Sequence, residues 1–308
     1  MGIRRVPGLW DDSAGGTVLS IEVGIIIVHW NSPERCTDTI RAFRSQGVPI
    51  RILVIDNGST PENLAKLQLM CPDINIRQLG RNVGFGPGAN CGISEMLQST
   101  DLQLIALAPH DAIPERGCLN LLCAGLEGNP RAGAVCAEYG RGKTQHYSWM
   151  KSIYLTPSDN HSPGWNEALY PHGTLTLFRR LCLEQVGCFD ERYFAYFEEC
   201  DWGFRARAYG WQIGIIGGAV VRNPDRTAAS PVVVYLNVRN SLILVRDHSG
   251  MLAAMIRSVV IALNTFVLWF RPRYRQTPHS TRVRLRAICD YWLGRLGSPP
   301  RFITNIKA

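Results

Sequence analysis

The chain has 308 residues, 46% of them hydrophobic and 19% charged, which excludes a disordered polypeptide and suffices for one large α/β domain plus an appendage. Its net charge of +8 admits nucleic acid, an anionic membrane surface or a polyanionic substrate as partner, beside a basic surface with no partner. The ten cysteines include no Cys-x-x-Cys, which excludes a zinc-finger type of site and points to free core thiols in a reducing cytoplasm.

Residues 1–20 lack the apolar core of a signal peptide and read as a loose leader. VGIIIVHW (23–30) reads as a buried strand, and Pro33 opens a helix that ends near Gly47. Strand 50–56 follows, ending at Asn57-Gly58-Ser59, then helix 61–70 and strand 74–79. A Gly-rich turn, GRNVGFGPGANCG (80–92), leads into another helix. Strand 102–108 stops at Pro109-His110-Asp111, and a helix and strand 132–138 come next. Repeated β-α-β units predict a mostly parallel central sheet with helices on both faces, and a ligand beyond the carboxyl ends of its strands. Residues 141–172, rich in aromatics, Ser and Pro, break this rhythm as a long functional loop. Strand 174–178 and helix 198–210 follow, and the end of the chain reads as all-helical. In 252–270, Arg257 and Asn264 interrupt an apolar stretch whose Leu252, Val259, Leu263, Phe270 and neighbours form one helical stripe. That spacing predicts a core or interfacial helix and not a membrane span. The basic RPRYRQ (271–276) suits an anionic membrane surface or an ordinary solvated loop.

Asp56, at a strand end, is placed to accept hydrogen bonds from a nucleobase or ribose, although a helix-capping turn needs the same residue. The glycines of 80–92 let backbone pass close to a ligand, and Asn82 and Asn90 supply amides. Asp111 can hold a divalent cation that bridges a diphosphate. Glu198, Glu199 and Asp201 crowd one helix start among Phe194, Tyr196, Phe197 and Trp202. Their mutual repulsion raises a pKa toward that of a general base, while Arg205, four residues past Asp201, is placed to pair with it.

These pieces, in this order, resemble the family 2 glycosyltransferases, particularly the rhamnosyltransferase-like branch, over residues 23 to about 246 and more faintly to 297. VGIIIVHWNS resembles that family's first strand and turn, which places His29 and Asn31 with the nucleotide sugar. VIDNGST resembles its nucleotide-binding strand end, and RNVGFGPGANCG its Asn-x-Gly…Asn-x-Gly element, adding Asp56, Asn82, Gly84 and Asn90. LALAPHDAIPERG stands at its metal turn, with His110 where the family has Asp, leaving Asp111. GCFDERYFAYFEECDWGFRARAYG resembles its acidic signature and YLNVRN (235–240) its Tyr…Arg-Asn helix.

The resemblance implies a GT-A fold over about 21–246, a helical extension over 247–308, and an inverting, in-line transfer from a nucleoside-diphosphate sugar. Glu199 takes the base position, with Glu198 before it and Asp201 after it. His172, Gly173 and Asp190 are expected at the acceptor, and Mn²⁺ or Mg²⁺ at Asp111 with His110. Arg222, where the family often carries His, can bear on the diphosphate as a cation. dTDP-rhamnose is the expected donor, with UDP-sugars next, and the acceptor a glycan, glycolipid or natural product. No nucleic-acid module is present, and the expected location is the cytoplasm, with peripheral contact at the cytoplasmic membrane face as the second option. A nucleotide-sugar-binding protein that has lost catalysis is the alternative, on account of His110 and Arg222.

Overall fold

The computed structural model describes residues 21–138, 143–157, 161–223, 230–270 and 281–304, so the leader and the basic 271–276 stretch lie outside the described residues. The first apolar run forms β1 (Val23–His29), buried throughout. Its period of two sends Ile25 and Ile27 into one apolar cluster and Ile26 and Val28 into another, on the opposite face of the sheet. β2 (Ile50–Asp56) and β3 (Asn75–Gln78) continue the sheet in parallel on one side of β1, and β4 (Leu104–Pro109) pairs in parallel on the other. That reversal of direction makes a topological switch point, with a crevice beyond the strands' carboxyl ends.

α1 (Pro33–Arg44) and α2 (Pro61–Met70) pack on one face and α3 (Phe85–Met96) on the other. α3 begins inside the glycine segment, so much of 80–92 is helix and not a turn ahead of one. A Cβ on Gly92 would stand 2.5 Å from Ile26 Cγ2, so its absence lets α3 lie close against β1. Packing overrides the weak helix propensity of this stretch.

β5 (Ile113–Pro114), α4 (Cys118–Glu127) and β6 (Ala132–Glu138) follow. The expected long loop is instead largely strand: β7 (Lys143–Ser148) and β8 (Ser152–Pro157) form an antiparallel hairpin, and β9 (Gly164–Ala168) joins the main sheet. β10 (Thr176–Arg179) inserts antiparallel between β4 and β6 and leads into α5 (Arg180–Val186). α6 (Glu198–Ala208) and β11 (Gln212–Arg222) complete a sheet ordered β3-β2-β1-β4-β10-β6-β11-β5, with β9 on β11.

α7 (Pro231–Ser249), α8 (Met251–Trp269), α9 (Thr281–Trp292) and the short α10 (Arg301–Thr304) end the chain. The expected boundary at 246 falls inside α7, which shares one apolar cluster with Tyr193 and Cys200 on one side and Ala254, Val283 and Ile303 on the other. α8 reverses the core alternative for its stripe. Ala254, Ser258 and Thr265 face inward, while Leu252, Val259, Leu263 and Phe270 are 70, 58, 61 and 63% exposed. By length and composition this helix can cross a membrane, although Arg257 sits in its middle.

Candidate active site

The carboxyl ends of β1 and β4 bring His29 and His110 edge to face, with ring centroids 5.6 Å apart. His29 is fully buried, where the sequence placed it against a nucleotide sugar. Ser32 N–H donates to its Nε2 at 3.2 Å, which assigns the proton to Nδ1, 3.1 Å from Asp56 Oδ1. Ser59 N–H donates to the other Asp56 oxygen at 3.3 Å. Burial alone pushes the Asp56 carboxyl up, but the bonds from His29 and Ser59 outweigh it and hold the group below its ordinary value. Asp56 is only 2% exposed and each of its oxygens already accepts a hydrogen bond, so it fastens the floor of the crevice.

Asn31, at φ 51°, accepts from Thr60 N–H at 2.8 Å and from the Asn63 amide at 3.2 Å, tying the β1–α1 turn to the β2–α2 turn. Asn82 accepts from Gly84 N–H at 3.0 Å and is otherwise exposed. Asn90 departs from its expected role. Its amide spans Phe189, accepting from N–H and donating to O, both at 2.9 Å, and also donates to Glu191 at 3.1 Å. Gly84, at φ 103°, serves the same joint: a Cβ there would lie 2.2 Å from Phe194 O. The glycine segment therefore packs against the acidic signature, and these two motifs form one unit.

That signature enters α6 through left-handed residues at Phe194, Tyr196 and Phe197. Such backbone persists only where its surroundings hold it. Asn240 of α7 does so, donating to Tyr193 O, Ala195 O and Tyr196 O at 2.9, 2.8 and 2.8 Å, and Arg239 adds a bond to Tyr193 O. Asn240→Ala is expected to cost about 2 kcal/mol, read as a lower denaturant midpoint, since these carbonyls lose their donor. An unchanged midpoint would show that the loop holds itself.

Behind this loop, burial raises the Glu198 carboxyl well above its ordinary value, and the charge of Glu199 adds to the rise. Burial pushes Glu199 up to about 7. One oxygen of each is sealed from solvent without a partner. A Cβ on Gly173 would stand 3.7 Å from Glu199 Oε1, so the His172-Gly173 turn does reach the acid. Burial also raises the Tyr196 hydroxyl, and the charges of Glu198, Glu199 and Asp111 add to the rise. Glu199 lines a cavity of about 540 Å³, walled by Tyr154, Tyr170, Tyr196 and Phe197 and by α7, α8 and α9.

Asp201 and Asp190 face elsewhere. Asp201 takes Arg205 Nε and His248 Nε2 at 2.8 Å each. Burial pushes its carboxyl up, yet His248 and Arg205 together hold it below the ordinary value, which leaves a poor base. Asp190 caps the short 3-10 turn Glu191–Tyr193 and pairs with Arg192, and it is not among the residues that line this cavity. Arg222 is exposed and ion-paired with Glu115 at 2.6 Å.

For a cation, Asp111 is partly exposed at the end of β4, whereas burial lowers the neighbouring His110, whose Nδ1 lies 3.4 Å from Val28 O. Among the described residues no three ligating side chains gather into a cation cage. One carboxylate in an open crevice does fit a cation that takes its remaining oxygens from a bound diphosphate. The sequence missed the cavity's far wall: Arg257 looked only like an interruption of an apolar helix.

A switch-point crevice, helices on both faces and an antiparallel insertion beside β4 define a GT-A glycosyltransferase fold. The fold is shared with a mannosyltransferase from Pyrobaculum calidifontis solved with GDP-Man and Mn²⁺ (TM-score 0.54, 12% identity, 89% of this chain and 87% of that one). It is shared also with GalNAc-T7 solved with UDP, GalNAc and Mn²⁺ (TM-score 0.60, 12% identity, 92% and 59%). The glycosyl transferase family 2 profile matches residues 24–187, just over half of the chain, and the chain belongs to that family. It is a nucleotide-sugar-dependent glycosyltransferase. Among curated relatives it is 25% identical over 244 residues, 68% of this chain and 79% of the other, to the N-acetylglucosaminyl-diphospho-decaprenol L-rhamnosyltransferase of Mycobacterium tuberculosis. It is 28% identical over 236 residues, 71% and 74%, to the low-salt glycan biosynthesis hexosyltransferase Agl10 of Haloferax volcanii.

Proposed function

We propose that this enzyme transfers a sugar, rhamnose first among candidates, from a nucleoside-diphosphate donor to a glycan hydroxyl with inversion, and that Glu199 is the base. One observation carries the proposal: a carboxyl raised to about 7 stands in the wall of a cavity that Tyr196 also lines, and the charge of Asp111 is felt at that tyrosine. Donor on one side and acceptor on the other suit an in-line displacement. The acceptor oxygen bonds to the anomeric carbon, the bond to the diphosphate oxygen breaks, and Glu199 takes the hydroxyl proton. Asn82 and Arg222 are exposed and serve the nucleotide in this reading, while Asn31, the His29–Asp56 pair, Gly84 and Asn90 keep the loops beneath it in place. Asp111 would share a divalent cation with the diphosphate, and such an ion neutralises leaving-group charge. Relatives that use L-rhamnose or assemble glycans support this donor and acceptor class. The ten free cysteines suit the reducing cytoplasm.

A thermal-shift screen of dTDP-rhamnose, UDP-sugars and GDP-sugars, with Mn²⁺ and with chelator, tests the donor. A ligand of the folded state at about 100 times its Kd adds roughly 2.7 kcal/mol of stability. One donor is expected to raise the midpoint with Mn²⁺, and Asp111→Ala to remove the metal-dependent part of that rise. A midpoint indifferent to every nucleotide sugar would refute the assignment, and a rise that survives chelator would pass the diphosphate to Arg222.

A further inference from the structure

The cavity beside Glu199 has a basic wall to which donor and base assign no part. Arg257 of α8 and Arg284 of α9 both line it. Both are half-buried, and their partners are neutral: Arg257 donates to Ser241 Oγ at 3.0 and 3.2 Å and to Met150 O, Arg284 to Thr265 Oγ1 at 2.9 Å. Other arginines of the fold, such as Arg192 and Arg205, are matched by carboxylates. Burial pulls the Arg257 guanidinium down, the like charge of Arg284 works in the same direction, and the two cations line one cavity. Half-buried cations without a counter-ion are costly, and an anion between them relieves both the desolvation and the repulsion. Phosphate oxygens match guanidinium forks best.

The same helix indicates where that phosphate comes from. α8 turns Arg257, Ser258 and Thr265 inward and a row of large apolar side chains outward, Leu252, Leu263 and Phe266 being 70, 61 and 62% exposed. Besides Arg257 and Arg284, and Arg286 that pairs with Asp290, the stretch from Met251 to Cys289 carries Arg271, Arg273, Arg275 and Arg282 and no Asp or Glu, a charge complementary to an anionic lipid surface.

We infer that Arg257 and Arg284 bind the phosphate or diphosphate of a lipid-borne acceptor, whose sugar reaches Glu199 while its hydrocarbon leaves along the apolar face of α8. This rests on the assignment of the cavity to the acceptor.

Isothermal titration of the full chain with farnesyl diphosphate tests the inference, with farnesol and inorganic pyrophosphate as controls. Farnesyl diphosphate is expected to bind the wild type. Arg284→Gln is expected to weaken that binding about 10- to 100-fold, the loss of one charge-assisted bond, and Arg284→Lys to restore part of it. Because Arg257 also holds a backbone carbonyl, Arg257→Gln is read only beside Arg257→Lys and a melting curve. Affinity unchanged in both Gln variants overturns the subsite. Pyrophosphate binding as tightly as farnesyl diphosphate, with the same arginine dependence, overturns its lipid source. The titration needs no turnover, so it stands or falls apart from the base: full activity in Glu199→Gln would sink the mechanism and leave this binding result untouched.

Discussion

Glu199→Gln is expected to lower turnover about 10²–10⁴-fold while donor binding stays near normal. The amide keeps the size and hydrogen-bonding reach of the acid but cannot accept a proton at neutral pH. The pH profile supplies an independent check. Burial raises the Glu199 carboxyl to about 7, so below that pH the group is protonated and cannot act as base. The wild-type rate should therefore climb about tenfold per unit between roughly pH 5 and 7 and level off above. Burial raises Glu198 as well, and the charge of Glu199 adds to the rise, so repulsion opposes both adjacent acids being ionised together. In Glu199→Gln the climb should vanish with the activity. Wild-type turnover in the variant, or a flat wild-type profile across this range, would place the base elsewhere.

Asp201→Asn should fail differently, by losing about 3–5 kcal/mol of stability, with the folded fraction still binding donor. The Asp201 carboxylate joins α6 to His248 of α7 and to Arg205, whose other nitrogens donate to Val186 O and Cys188 O at 2.8 Å. An amide in its place leaves Arg205 without a counter-charge next to the acidic signature. The sign with pH follows from the lowered carboxyl. Its contribution is complete above the unfolded value, about 4, and disappears as pH falls through the lower folded value. Wild type and variant should therefore converge in stability at strongly acid pH. Urea curves that coincide near neutrality would show that the Asp201 pairs contribute nothing.

The core strands were legible in the sequence because each is a short apolar run that ends in a turn signal. β1 and β2 lie where the runs predict, and the buried, mostly parallel sheet follows from them. Glu198, Glu199, Asp201 and the Asp201–Arg205 pair were legible because one helix start brings them together in a single turn. Composition misled where packing decides. Glycines suggested a turn at 80–92 although Gly92 exists to bring α3 onto β1. Polar and proline-rich residues at 141–172 concealed the β7–β8 hairpin and also β9, whose partner β11 is distant in sequence. Boundary 246 looked natural because the family likeness fades there, yet the helix runs through it.

By itself, then, the sequence determined the fold class, the family and the acid that faces the cavity, since all three rest on local periodicity and on motifs a few residues long. Only tertiary structure decided which motif residues are free for a ligand. His29, Asp56 and Asn90 spend their polar atoms inside the protein, and Asp190 spends its carboxylate on Arg192. It also decided that Arg257 and Arg284, 27 positions apart, share one cavity with Glu199. The physical reason is the same in each case. A side chain's identity states what it can bond, but the partner that satisfies it comes from elements remote in the chain, and only folding brings them within reach.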